Sequence, residues 1–274
     1  MPTAQLSVGH YENFPVASVL LPRALRRPVA SIYAFARSAD DFADEGDFPQ
    51  AERLANLDRY RSELQRIEAG QSPTLPLFST LAAVIVEWSL PLRPFYDLLD
   101  AFSQDVVKAR YANFGEVMHY CSRSANPVGR LMLHLYGAAR PENLAQSDAI
   151  CSALQLINFW QDVEIDFRKD RIYLPQDELA RFSVSEAQIG RAEADDRWRE
   201  LMAFQVSRAR ALMLSGAPLA ARLPGRIGLE LRMIVQGGLR VTDKLAACRY
   251  DIFRDRPVLK PLDWPLMLVR ALSM

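Results

Sequence analysis

Two pairs of aspartates, each set four residues apart, are the chemistry this chain offers first. Asp40 and Asp44 lie in "YAFARSADDFADEGD", and Asp162 and Asp166 lie in "LQLINFWQDVEIDFRKDRIYLPQDEL". Residues i and i+4 are neighbours on one helix face, so each pair repels itself, and burying it costs several kcal/mol unless a cation compensates. In the first pair, Val29, Ile32, Tyr33 and Ala36 follow i, i+3, i+4, i+7 and predict an apolar stripe. Arg37, Asp40 and Asp44 continue along or beside it, which points the acids toward the interior. In the second, Asn158 and Gln155 fall on the same face as the acids, and Leu154, Leu156, Ile157, Phe159, Trp160, Val163 and Ile165 cover the rest of the helix. Two such helices face to face would enclose an oxygen-rich pocket. Mg²⁺ takes one or two carboxylates, keeps waters and completes its shell with substrate phosphate, which fits this pattern better than a dedicated cage. Arg168, Lys169 and Arg171 follow at once, with the phenol of Tyr173, and guanidinium groups grip phosphate oxygens in pairs.

Other chemistries have less to stand on. Glu116 and His119 show the ExxH spacing of helical di-iron sites, but such a site needs the motif twice, and neither His10 nor His134 supplies it. There is no HExxH, Cys/His cluster, GxGxxG or Walker-type loop. Cys121, Cys151 and Cys248 are an odd number without CxxC spacing, as expected of reduced thiols packed in a core. Lys plus Arg equals Asp plus Glu at 33 each, so no net field argues for a nucleic-acid partner, and any electrostatic function must be local.

The elements that would position these residues are helices. Of the 274 residues half are hydrophobic, enough for a sizeable core, and period-two alternation is nearly absent. Helical spacing predicts helices over 28–45, 49–70, 76–88, 92–110, 114–139, 142–168, 185–215 and 226–250, with Pro-marked joints near 73–76, 91–94, 141, 175 and 218–224. Pro49 suits a first turn and Gly70 a C-terminal cap. No linker or repeat divides the series, so the expectation is one all-α domain over 1–274. Glu12, Asn13, Pro15 and Pro22 interrupt the N-terminal apolar stretch, no secretion signal is read there, and no run reaches the roughly 18 apolar residues of a spanning helix. The expectation is a cytoplasmic protein. The closing "DWPLMLVRALSM" is apolar and amphipathic enough for peripheral contact at the inner face of a membrane, although packing on its own domain is the commoner fate of such a segment.

"RSADDFAD" followed by "NFWQDVEIDFRKDRIYLPQDEL" resembles the squalene and phytoene synthase family, the head-to-head trans-isoprenyl diphosphate synthases, over nearly the whole chain. The resemblance implies an all-α isoprenoid-synthase bundle around a central cavity. It implies that Asp40, Asp44, Asp162 and Asp166, with Asn158, hold Mg²⁺ and diphosphate, and that Arg37, Arg171 and Tyr173 help bind the diphosphate. Asn13, Asp41, Gln155 and Lys169 complete the expected substrate-binding set. Several positions depart from the pattern. Where many members carry a "YCxYVAG"-like stretch, this chain reads "YCSRSAN", with Ser122 and Arg123 in place of a tyrosine and Asn126 in place of a glycine. Asn13 stands where serine is common, and Gly238 where a tyrosine is expected.

"HYENFPVAS" followed by "YAFARSADDFADEGD" is similar, within the family, to the bacterial hydroxysqualene synthases. These convert presqualene diphosphate, supplied by a sister synthase, by ionisation, carbocation rearrangement and capture of water; Ser122, Arg123 and Asn126 are the candidates for positioning that water. The alternatives are head-to-head condensation of two farnesyl or geranylgeranyl diphosphates to presqualene diphosphate, squalene, dehydrosqualene or phytoene, and a silent assembly relative. The intact aspartate pairs argue against the last.

Overall fold

The computed structural model describes residues 21–44 and 48–274, so the Asn13 expectation lies outside the described residues. The described chain forms helices α1 (Arg23–Asp44), α2 (Gln50–Glu68), α3 (Pro76–Trp88), α4 (Arg93–Val107), α5 (Phe114–Ser124), α6 (Asn126–Leu135), α7 (Pro141–Arg168), α8 (Gln176–Arg181), α9 (Glu186–Gly190), α10 (Asp196–Gly216), α11 (Pro218–Arg222), α12 (Gly225–Ala247) and α13 (Asp263–Leu272). Extended pairing among the described residues is limited to a single bridge between Arg110 and Ile172. The all-α expectation holds.

Local chemistry explains most boundaries. Pro76 and Pro141 open α3 and α7, where a missing N–H costs nothing. Asn113, Ser185 and Asp195 each accept a backbone N–H three residues on and so start α5, α9 and α10. Gly70, at φ +69°, closes α2, and Gln71 N–H reaches back to Arg66 O at 2.8 Å. Two long predicted helices are broken. The one over 114–139 divides at Ala125, because Pro127 has no N–H to continue α5 and instead sits in the first turn of α6. The one over 185–215 is interrupted after α9, where Ala192 takes φ +56°, and restarts at the Asp195 cap.

The helices pack around two apolar clusters. The first joins α1–α4: Phe35 sits edge-on to Phe78 and Phe95, Leu57, Leu64 and Leu99 fill in, and Leu131 reaches in from α6. The second surrounds α7, α10 and α12, with Trp160, Trp198, Leu156, Met202 and Val241 fully or almost fully buried. Gly216 makes the close α7–α10 approach workable, since a Cβ there would stand 2.5 Å from Gln146 O. Gly238 does the same for α12: a side chain would run into Met213 beside Leu154 and Ile157. Helices α1 and α7, which carry the two aspartate pairs, belong to different clusters.

The stripe on α1 is rotated from the one the sequence predicts. Val29 and Ile32 are buried as expected, but the core continues through Phe35, Ala39 and Ala43, while Tyr33 and Ala36 are half-buried. Asp40 therefore stands at the rim of the buried face, its side chain 38% exposed, and does not point into the core.

Candidate active site

Along α7 the polar residues form a seam in an otherwise buried helix. Gln155, Asn158, Asp162 and Asp166 are all half-buried, whereas Leu156, Ile157, Phe159, Trp160 and Val163 are buried; Ile165 alone of the predicted apolar set is exposed. Such a seam sets carboxylate and amide oxygens in a line along one edge of an apolar helix.

The end of α7 aims the cations. Arg171 N–H bonds Asp166 O at 2.8 Å and Asp170 N–H bonds Phe167 O at 2.9 Å, a Schellman closure with Asp170 in the left-handed region at φ +58°. The chain then runs extended beside residues 109–112: Ile172 N–H donates to Ala109 O at 2.9 Å and Gln176 N–H to Tyr111 O at 2.9 Å. Arg110 clamps the outer side, its guanidinium on both oxygens of Glu186 and on Asp170. "RIYLPQDEL" is thus a splice between the end of α4 and the end of α7, which fixes the height of Arg171 and Tyr173.

Asp105, in the last turn of α4, is what both segments meet. Its carboxylate accepts from Tyr120 Oη at 2.6 Å and more distantly from Tyr173 Oη at 3.4 Å, and its carbonyl accepts from Arg171 Nη2 at 3.2 Å. Tyr173 stacks on Phe159 with centroids 3.7 Å apart and planes 7° from parallel, and Tyr111 and Tyr120 complete the box at 5.5 and 5.7 Å from Tyr173. Burial pushes the Tyr120 and Tyr173 phenols well above their ordinary range, and the Asp105 charge adds to it, so both remain protonated donors. Sequence reading missed Asp105. The signal was there: it follows Leu98, Ala101 and Phe102 at helical spacing, an acid one turn beyond an apolar stripe, as Asp40 was read to be.

Beside this box opens a cavity of about 320 Å³, lined by Phe48, Arg53, Asp105, Lys108, Lys169 and Arg171 among others. Four cationic side chains on its wall suit an anion of more than one charge. Lys108 also bonds Glu116 at 2.9 Å, and Glu116 accepts the Ala112 N–H at 2.8 Å. Glu116 therefore serves as a clamp at the start of α5, which accounts for half of the ExxH pair.

On α1, Arg37 reaches Asp41 at 2.8 Å and Asp40 at 3.5 Å, so the three predicted residues form one charged group. Asp44 is the last residue of that helix. On α7, Asp162 is held through both carboxylate oxygens by Arg256, from the segment between α12 and α13, with Nη2 at 3.1 Å from Oδ2. Nothing in the sequence around Arg256 announced this. Among the described residues no three of His, Cys, Asp and Glu gather as a ready-made metal cage. The donors are instead carboxylate and amide oxygens, on helices of different clusters, the kind of set that holds Mg²⁺ only together with water and phosphate. Of the candidates for positioning water, Ser122 donates to its own helix at His119 O, 2.7 Å, Arg123 is half-buried in the last turn of α5, and Asn126 is buried and accepts from Ser152 Oγ at 2.8 Å. Asn126 thereby ties α6 to α7.

An acidic seam, a basic cavity and a buried aromatic stack on one all-helical body suit a protein that handles an anionic group. The family model for squalene/phytoene synthase matches residues 8–263, and the chain belongs to that family, whose members act on isoprenoid diphosphates. It is 35% identical to a hydroxysqualene synthase of Rhodopseudomonas palustris over 96% of this chain and 88% of that one. It is 32% identical to a phytoene synthase of Arthrospira platensis, over 97% and 91%. Among solved structures it superposes on the squalene synthase HpnC of Alicyclobacillus acidocaldarius with a TM-score of 0.82 at 38% identity, covering 88% of this chain and 90% of that one.

Proposed function

We propose that this chain converts presqualene diphosphate and water to hydroxysqualene and diphosphate, in a Mg²⁺-dependent reaction of squalene and hopanoid biosynthesis. One observation carries the reading. The stretch 158–173 presents in order the seam oxygens of Asn158, Asp162 and Asp166, the cavity cations Lys169 and Arg171, and an aromatic stack of Phe159 on Tyr173. These are the groups needed to hold a diphosphate and to take up charge as its carbon–oxygen bond breaks, with the buried aromatic stack packed behind them.

Asp40, Asp44, Asp162, Asp166 and Asn158 are assigned to Mg²⁺, which when bound neutralises the leaving diphosphate. Arg37, Lys169 and Arg171 grip its oxygens, with Asp41 orienting Arg37 and Gln155 extending the seam. The half-buried setting limits water until one molecule adds to the cation and passes its proton to the departing diphosphate, so that atoms and charge balance without a reductant. Similarity to hydroxysqualene synthases supports this step, in which the enzyme would consume a head-to-head condensation product.

A second reading, condensation of two farnesyl or geranylgeranyl diphosphates, is favoured by the phytoene synthase relative. Mass spectrometry of products, with purified protein and Mg²⁺, separates the two. Hydroxysqualene from presqualene diphosphate, and no product from farnesyl or geranylgeranyl diphosphate, is the expected result; turnover of either prenyl diphosphate overturns it.

A further inference from the structure

A helix at a protein surface ordinarily turns its polar face outward. Helix α13 departs from this. Asp263, Met267 and Ala271, one turn apart, are its buried face, and the buried Asp263 carboxylate meets Arg240 Nε at 2.7 Å, Lys244 and the Lys260 N–H. The outward side carries Trp264, Leu268, Val269 and Leu272, 40 to 67% exposed, with Leu262 just before the helix at 89%. The helix is held to α12 by its only acid and shows its hydrocarbon to the outside.

We infer that this face is a docking surface for an anionic lipid bilayer. Size argues against a second copy of the chain as its occupant. A ten-residue helix is about 15 Å long and its outward half covers on the order of 200 Å², against roughly 800 Å² per partner in a stable protein interface. A bilayer needs no complementary surface. Charge points the same way: Lys260, exposed at the entry to the helix, and Arg270, on its flank and partly shared with Asp243, bracket the apolar face with positive charge. Trp264 lies at one edge of the exposed face, where an amphipathic ring suits the headgroup boundary. Among the described residues no helix is long and apolar enough to cross a membrane, so α13 lies on the surface and does not insert across it. Nothing in this inference depends on which diphosphate the enzyme converts.

The test is co-sedimentation of the full chain with vesicles of phosphatidylcholine, alone or with phosphatidylglycerol. Binding to the anionic vesicles is expected, weakened by about tenfold or more in Val269→Ser with Leu272→Ser, and weakened also in Lys260→Glu with Arg270→Glu. Bromolipid quenching of tryptophan fluorescence should disappear in Trp264→Phe. Circular dichroism, and turnover of detergent-dispersed substrate, should match the unaltered protein, which separates a docking defect from a folding or catalytic one. No binding, equal binding to neutral vesicles, or binding indifferent to the serine substitutions overturns the inference. So does self-association in ultracentrifugation that the serine substitutions abolish, which would give the face to a second copy.

Discussion

Asp105→Ala should cost more than any loss of its own packing would suggest, because it strands a buried hydroxyl. Tyr120 is 4% exposed and its Oη lies 2.6 Å from the Asp105 carboxylate. A short hydrogen bond to an ionised acceptor contributes about 1.5–3 kcal/mol, and a buried donor left without a partner costs about 1–3 kcal/mol. Asp105 is only half-buried, so solvent screening brings the expected loss to about 2 kcal/mol. Urea unfolding should show it as a lower midpoint at constant slope. Removing both partners, in Asp105→Ala with Tyr120→Phe, should restore about 1 kcal/mol of the summed single losses. Tyr173 supplies the internal control: at 3.4 Å its hydroxyl should couple to Asp105 by less than about 0.5 kcal/mol. Additivity of the Asp105 and Tyr120 changes, or stronger coupling to Tyr173 than to Tyr120, would refute the reasoning.

Asp40→Asn and Asp162→Asn should each lower turnover by at least about a hundredfold with unchanged circular dichroism; full activity in either removes the metal assignment. Hydrogen bonds from Lys244, the Lys260 N–H and Arg240 outweigh burial and hold Asp263 well below the usual carboxylate range. Its contribution is therefore complete above the unfolded value near 4 and is lost as pH falls further toward the depressed folded value. Acid unfolding should be less steep in Asp263→Asn, and a variant as acid-sensitive as the parent would contradict this. Burial pushes the Cys121 thiol up to about 12 and Cys151 up to about 11. Cys248, just past the end of α12, is raised by burial too but not to those values, and it should react first with iodoacetamide at pH 8, as peptide mapping can show; faster labelling of Cys121 would be the contrary result.

Periodicity carried the helices that run uninterrupted, such as α3, whose predicted and observed limits coincide, and the seam on α7. It failed where a single residue decides, as at Pro127, or where a cap restarts a helix, as at Asp195. The stripe on α1 was misplaced because Tyr33 and Ala36 fit the period as well as Phe35 and Ala39 do, and only the neighbours from α2–α4 choose between them. Residues acting through distant contacts were the least legible. Arg256 is 94 positions from Asp162, and no local pattern encodes that pairing.

The two apolar clusters also bear on how the protein is made. Nearly all of the first is encoded before residue 108, and its last members, Leu131 and Leu135, arrive with α6. During synthesis that half can close while most of α7 and everything after it have yet to leave the ribosome. The residues assigned to the diphosphate come from both halves, so catalytic competence arrives last, after the Arg256 segment has emerged and folded back. A chain stalled short of that point would hold a well-packed first half with no enzyme in it.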